Sequence, residues 1–229
     1  MRLGIVGFGK MGHEIASVAA SRGHDVTWTL SREDNPGGSG LTPERCAAAD
    51  VVFEFTSPGA APDNLRALAR AGARAVCGTT GWQRAFDEVA AAFRRGGGAL
   101  VHGANFSPGV RFFFDTARAA ARLFPAAGYA AYVVEEHHAG KRDAPSGTAL
   151  TLAAIVQEAA GAAPPVASIR AGTVPGLHRL VFESTEDEIE LIHRARGRAG
   201  FARGAVWAAE RIAGRTGVFE FGELLREVQ

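Results

Sequence analysis

Three glycines, Gly7, Gly9 and Gly12, stand directly behind a short apolar run at residues 3–6 and ahead of an amphipathic run at residues 10–21. A strand that turns into a helix through glycines at this spacing has little freedom of fold. The first glycine permits a tight turn, the second lets the backbone approach a diphosphate, and the third lets helix and strand pack closely. The helix start adds unclaimed N–H groups and the positive end of its dipole. A glycine-rich turn in a non-binding domain has the same letters, so the weight lies in the strand–turn–helix setting. On that reading Gly7, Gly9, Lys10, Met11 and Gly12 form the phosphate turn of a dinucleotide site.

The alternation continues. Residues 25–30, 51–55, 74–77 and 99–102 read as strands, and residues 61–71 and 82–94 as helices. Strand and helix in turn at this spacing imply an α/β fold with a Rossmann-like, doubly wound parallel sheet. Residues 35–40, Asn-Pro-Gly-Gly-Ser-Gly, read as a flexible loop inside that domain. After Pro108 the pattern changes. Helices at 111–124 and 148–160 stand among strands at 130–136, 166–171, 178–183 and 188–193, which suggests a second, α+β domain with an open or mixed sheet. A helix at 201–212 and a strand at 217–221 fit either domain.

Charge excludes some partners. With 25 basic and 24 acidic residues the net charge is +1, so no global field draws the chain to nucleic acid or to an anionic membrane. No stretch approaches the roughly 20 apolar residues of a membrane span, and the first residues read as a strand rather than a signal peptide. Cys46 and Cys77 are too few for a disulfide framework and are expected as small buried or half-buried residues, which fits a cytoplasmic location.

Two hydroxyl-rich loops fall at the carboxyl ends of strands, where such sheets bind ligands: Phe55-Thr56-Ser57-Pro58 and Gly78-Thr79-Thr80-Gly81. Either suits a nicotinamide ribose; equally, Ser57 or Thr80 suits a helix N-cap. The densest polar cluster runs from Glu135 to Thr148, E-E-H-H-A-G-K-R-D-A-P-S-G-T. His137 and His138 titrate near neutrality, and Lys141 brings a fixed positive charge. Ser146-Gly147-Thr148 opens a helix whose N–H groups suit a carboxylate. Adjacent histidines on a strand end point to opposite faces, and no other histidine or cysteine stands at zinc-site spacing, so no metal is expected.

The run E-x-H-H-x-x-K-x-D-A-P-S-G-T-A resembles the signature of the 4-hydroxy-tetrahydrodipicolinate reductases. Gly78-Thr79-Thr80-Gly81, Ala104-Asn105-Phe106-Ser107-Pro108-Gly109-Val110, Arg170 to His178 and Arg198 to Ala205 agree with that family in order. The resemblance implies NAD(P)H-dependent reduction of a small cyclic dicarboxylate in diaminopimelate and lysine biosynthesis. It implies His137 as proton donor or acceptor, Lys141 in contact with substrate, and His138, Gly147 and Thr148 as substrate-binding residues. Gly78, Thr80, Ala104 and Phe106, with Phe55, Thr56, Thr79 and Asn105 in the same loops, are expected on the cofactor. Residues 1–107 and 199–229 would form the dinucleotide domain, and residues 108–198 a substrate domain that assembles a homotetramer. The alternatives are another Rossmann-fold dehydrogenase or a non-catalytic dinucleotide sensor.

Cofactor choice turns on the end of the second strand. An Asp or Glu there accepts from the ribose 2′-hydroxyl of NADH; this chain has Ser31 followed by Arg32. A hydroxyl and a guanidinium suit a 2′-phosphate, so NADPH is favoured over NADH, with Glu33 and Asp34 weighing the other way.

Overall fold

The computed structural model describes residues 1–227. The chain begins with β1 (Arg2–Val6), α1 (Lys10–Ser21), β2 (Asp25–Leu30), α2 (Pro43–Ala47), β3 (Val51–Glu54) and α3 (Ala61–Arg70). It continues with β4 (Arg74–Cys77), α4 (Phe86–Gly96), β5 (Ala99–His102), α5 (Pro108–Leu123), β6 (Ala130–His137) and α6 (Gly147–Ala160). The last elements are β7 (Val166–Arg170), β8 (Leu177–Glu183), β9 (Glu188–Arg194), α7 (Ala199–Ile212), β10 (Gly217–Glu220) and α8 (Phe221–Arg226). They divide into two compact units, Met1–Pro108 with Arg198 onward, and Gly109–Gly197.

The first unit is a parallel sheet in the order β10-β5-β4-β3-β1-β2. Leu3 and Ile5 lie on one face with Phe53, Val76 and Val101, where Ile15, Val206, Ala209 and Leu224 of the helices cover them. Val6, Val52, Ala75 and Leu100 lie on the other, beneath Leu65, Leu68, Val89 and Phe93. Burial on both faces explains apolar residues at successive positions: Val51, Val52 and Phe53 of β3 are all buried. Each fully buried leucine or phenylalanine stabilises the fold by roughly 1.5–3 kcal/mol.

Several local expectations change. Residues 35–40 hold a 3-10 turn, Pro36–Gly38, and α2 follows, with Thr42 as its cap and Pro43 in its first turn; both are too short to show a period. The helix expected from residue 82 begins at Phe86, after a 3-10 turn at Gln83–Ala85. Trp82 is buried instead, its indole N–H donating to Thr79 O at 2.8 Å. The tail belongs to the first unit, since β10 pairs with β5. Phe221, expected to end that strand, opens α8, where Glu220 and Glu223 form a reciprocal capping box.

The second unit is a mixed sheet in the order β7-β6-β8-β9, with β6 and β7 parallel and the other pairs antiparallel. Phe113, Phe114, Leu152 and Ile155 of α5 and α6 pack on Val133, Leu180 and Phe182. Alternation along β6 puts Glu135 and His137 on that same covered face, with Glu135 opposite His178 and His137 beside Arg170.

In the first unit, α7 meets the loop after β5 with no room for a side chain. A Cβ on Gly204 would lie 1.7 Å from Phe106 O and 3.0 Å from Pro108 Cδ. Neither the backbone carbonyl nor the proline ring swings aside, so Gly204→Ala is expected to lower the unfolding free energy by roughly 1–3 kcal/mol, the usual cost of overpacking. The urea midpoint should fall at constant m-value; an unchanged midpoint would show that the two segments separate freely.

Candidate active site

The glycine turn assigns a different duty to each glycine. Gly7 has φ +91°, and a Cβ there would come 2.1 Å from Phe55 O; a Cβ on Gly12 would come 2.7 Å from Gly7 O. Both are therefore required by packing. Gly9 is the exception: a Cβ there would meet nothing within 4 Å. It caps α1 with no side-chain hydrogen bond, and no acidic residue occupies the first turn, so the helix start is open to an anion. Lys10 and Met11 stand beside that opening, Lys10 exposed.

The other expected cofactor residues gather at the carboxyl ends of the same strands. Met11, Phe55, Thr56, Gly78, Thr79 and Thr80 line one groove of about 220 Å³. Thr79, Thr80, Trp82, Phe86, His102 and Ala104 line a second of about 320 Å³. Ser57 and Thr80 cap no helix, since α3 and α4 begin behind Ala60 and Ala85. Gly78 is obligatory because a Cβ would enter the Phe55 ring at 2.1 Å. Thr79 is nearly buried, and its hydroxyl accepts from the Thr56 N–H at 2.8 Å. Phe106 is buried against Phe55 and Phe221, so only its backbone faces the loop, and the Asn105 side chain accepts from the Ser107 N–H.

At the end of β2 the geometry departs from expectation. The Ser31 hydroxyl, expected as a donor to a 2′-phosphate, lies 2.8 Å from Glu33 Oε2 and 2.6 Å from Asp34 Oδ2. The Ser31 N–H also donates to Asp34, at 3.2 Å. These bonds hold the Asp34 carboxyl below its ordinary range; Glu33 is lowered too, first by its own backbone and then by Ser31. Arg32 is exposed beside them.

The second unit builds a denser cluster. Glu135 has no exposure to water. Its Oε1 accepts from Arg170 at 2.6 Å and from the Ser146 N–H at 3.2 Å, and its Oε2 meets Nδ1 of His137. Burial works against this charge, yet the Arg170 guanidinium, the Ser168 hydroxyl, the Ser146 N–H and the His137 ring together hold the carboxyl down at about 2. Burial also lowers His137, against the pull of Glu135, so the pair is a carboxylate and a neutral imidazole at neutral pH. Ser146 caps α6 by accepting from the Ala149 N–H, and its Oγ lies 3.0 Å from Nε2 of His178. Lys141 is held by both oxygens of Asp143, at 2.8 and 2.9 Å. Gly147 and Thr148 begin α6 with no acidic residue in its first turn, and His138 is exposed at the strand end.

Glu135, His137 and His178 have ligand atoms within 4.8 Å of one another, the composition of a metal site. Arg170 already supplies the positive charge beside Glu135 Oε1, and a cation there would face a guanidinium.

Family models for the dihydrodipicolinate reductase N-terminus and C-terminus match residues 1–106 and 109–225. A 4-hydroxy-tetrahydrodipicolinate reductase from Christiangramia forsetii is 32% identical, covering 100% of this chain and 99% of that protein. The chain belongs to the dihydrodipicolinate reductase family. A 4-hydroxy-tetrahydrodipicolinate reductase from Stenotrophomonas maltophilia is 42% identical over 78% of this chain and 74% of its own. The fold also matches the dipicolinate-bound dihydrodipicolinate reductase of Paenisporosarcina sp. TG-14, with a TM-score of 0.80 at 20% identity, over 96% of this chain and 97% of that one.

Within this member of the dihydrodipicolinate reductase family, sequence reasoning placed the central loop but missed Arg170 and His178 as parts of the same cluster. Their signal was weak, a basic residue and a histidine on separate strands. His178 carries a measurable consequence. Burial, with His137 adding to it, lowers its pKa from 6.5 to about 4. The folded state thus keeps the ring neutral while the unfolded chain takes up a proton. The stability so gained is complete above pH 6.5 and is lost as pH falls towards about 4, amounting to roughly 3 kcal/mol. His178→Gln should flatten the pH dependence of the unfolding free energy across that window. Equal slopes in the two proteins would refute the assignment.

Proposed function

We propose that this chain is an NAD(P)H-dependent 4-hydroxy-tetrahydrodipicolinate reductase, forming tetrahydrodipicolinate in diaminopimelate and lysine biosynthesis. One observation carries the reading: His137, Lys141 and an uncapped pair of N–H groups at Gly147 and Thr148 stand on one strand end, loop and helix start, in a chain that also holds a dinucleotide turn. A cyclic dicarboxylate needs two anion anchors and a proton source, and these residues supply both. Bound NAD(P)H supplies the hydride.

In this reading residues 1–107 and 199–229 bind the cofactor, and residues 108–198 bind the substrate and assemble the protein. Gly7, Gly9, Lys10, Met11 and Gly12 receive the diphosphate at the α1 start. Phe55, Thr56, Gly78, Thr79, Thr80, Ala104, Asn105 and the Phe106 backbone frame the nicotinamide half. Gly147 and Thr148 hold one carboxylate through their N–H groups, and His138 contacts the ring. Lys141 exchanges Asp143 for the other carboxylate. His137 Nε2 transfers the proton. The homotetramer uses the sheet face opposite α5 and α6, where Ile169 and Ile192 are 45% and 51% exposed. Among the described residues no helix is long and apolar enough to cross a membrane, and the cytoplasm is the proposed location.

The experiment is reduction of freshly generated 4-hydroxy-tetrahydrodipicolinate, followed by the loss of NAD(P)H absorbance. His137→Ala and Lys141→Ala are each expected to lower kcat by roughly 10²-fold or more with the fold intact. Near-normal turnover in either variant removes that residue from the mechanism, and no turnover in the wild type removes the function.

The adenosine end is read by Ser31, Arg32, Glu33 and Asp34. Sequence favoured NADPH through Ser31 and Arg32, but the Ser31 hydroxyl is engaged by two carboxylates able to accept from a 2′-hydroxyl. NADH therefore serves at least as well as NADPH, with Arg32 left to meet a 2′-phosphate. The double variant Glu33→Gln with Asp34→Asn should raise kcat/KM for NADPH relative to NADH several-fold, and Arg32→Ala should lower it. A ratio that neither change moves would place cofactor selection elsewhere.

A further inference from the structure

A histidine that moves a proton through one ring nitrogen needs the other held, or the ring rotates and changes tautomer. His137 is held by a group with no contact with water. Glu135 lies two residues earlier on the same face of β6, and its Oε2 meets His137 Nδ1. Its remaining oxygen is taken by Arg170 at 2.6 Å and the Ser146 N–H at 3.2 Å, so the carboxylate has one oxygen for the ring and no freedom to leave it. Arg170 is fixed in turn by the carbonyls of Ile169 and Asp143, at 2.8 and 2.7 Å. An ionised carboxylate only accepts, so Nδ1 carries the hydrogen and Nε2 the lone pair.

The surroundings of Nε2 are kept clear. Gly176 has φ +153°, and a Cβ there would stand 3.1 Å from Nε2. The charged and titratable groups about the ring are Glu135 on its own strand, Lys141 in the loop, Arg170 on β7 and His178 on β8, the two imidazole centroids 5.1 Å apart. His193 lies one strand further, paired with His178. Among the described residues that touch the ring directly, Glu135 alone is acidic.

We propose that Glu135 is the positioning residue of this site: it fixes His137 as the Nδ1–H tautomer, presents Nε2 to the substrate, and stabilises the imidazolium that proton transfer requires. The inference rests on His137 being the proton-transferring group. The imidazolium gives its Nε2 proton to the substrate and returns to the neutral ring with Nδ1–H still on Glu135; no proton passes to the carboxylate. A buried acid that orients and charges a histidine without titrating is a recurrent arrangement in acid–base sites.

Glu135→Gln keeps the shape and removes the charge. It is expected to lower kcat by at least ~10²-fold. Loss of an adjacent opposite charge should also bring the alkaline limb of the kcat–pH profile down by about one unit or more. Glu135→Asp, which keeps the charge, should leave that limb near its wild-type position even where kcat falls. In a His137→Ala background, Glu135→Gln should change kcat less than about twofold, since a residue acting through the ring has nothing left to act on. Additive losses in that double variant, or a limb that does not move in Glu135→Gln, would overturn the proposal. Nitrogen-15 spectra of the wild-type protein give an independent reading if Glu135→Gln does not fold: an Nδ1–H ring on His137 is expected, and an Nε2–H ring would overturn it. Near-normal turnover in His137→Ala would instead sink the underlying role of His137, whereas an impaired His137→Ala beside a normal Glu135→Gln sinks only the role of Glu135.

Discussion

A carboxylate sealed from water must be answered by the protein itself, and each unit of this chain contains one at the end of a strand. Glu135 closes on a guanidinium, a backbone N–H and an imidazole. Glu54 has no exposure either, and finds neutral donors: the Thr56 hydroxyl, the Asn64 amide at 3.1 Å and the Cys77 thiol at 3.3 Å. Leaving either unanswered would cost several kcal/mol. The loops that follow these strands are therefore each shaped by the demand of one buried carboxyl group. In the first unit the demand passes outward, because Asn64 accepts from Asn35 at 2.7 Å and Asn35 accepts from the Gly40 N–H at 3.0 Å. The loop after β2 is thereby tied to the centre of the sheet.

The same logic explains why polar groups sit where they do in otherwise apolar strands. In β3 the first three residues fill the two cores, and the charged fourth falls where the strand leaves the sheet. In β6 the covered face reads Val133, Glu135, His137, passing from packing to chemistry within five residues. Sheet geometry does the sorting: side chains two apart share a face, so a hydrophobic anchor at the buried end aims the polar pair at the open end. Cys77, expected as a small apolar residue, is buried and also donates to Glu54; burial first, and then that carboxylate, push its thiol well above the ordinary range.

What could be read from the sequence was whatever is local. The glycine turn, the strand–helix alternation and the loop from His137 to Thr148 each lie within a few residues, and spacing encodes them. The clamp on Glu135 does not: Arg170 is 35 residues away, and the link from Ser146 to His178 spans 32. Only sheet pairing brings these together, and no periodicity records which strand lies beside which. At Ser31 the partners were adjacent in the sequence, yet Ser-Arg-Glu-Asp offers the hydroxyl several choices and the turn geometry makes the selection. At Phe106 the residue type alone did not say which part faces a ligand, because the ring turns into the core and leaves the backbone in the loop. Short elements such as α2 and α8 escaped because five or six residues do not complete two turns.

The second sheet contains one parallel pair, β6 with β7, among antiparallel neighbours. An antiparallel pair closes with a short turn, as β8 and β9 do through residues 184–187. A parallel pair requires a crossover of a dozen residues or more; here it occupies residues 138–165 and contains α6. The loop that carries Lys141 and the helix start is thus part of a connection whose length the topology demands but whose sequence it leaves open. Topology sets a minimum length for such a connection but not its register, whereas the β8–β9 turn fixes the register of the strands it joins. What holds this loop in place is therefore its own bonds, the Ser146 N–H donating to Glu135 and the Asp143 carbonyl accepting from Arg170, rather than strand pairing.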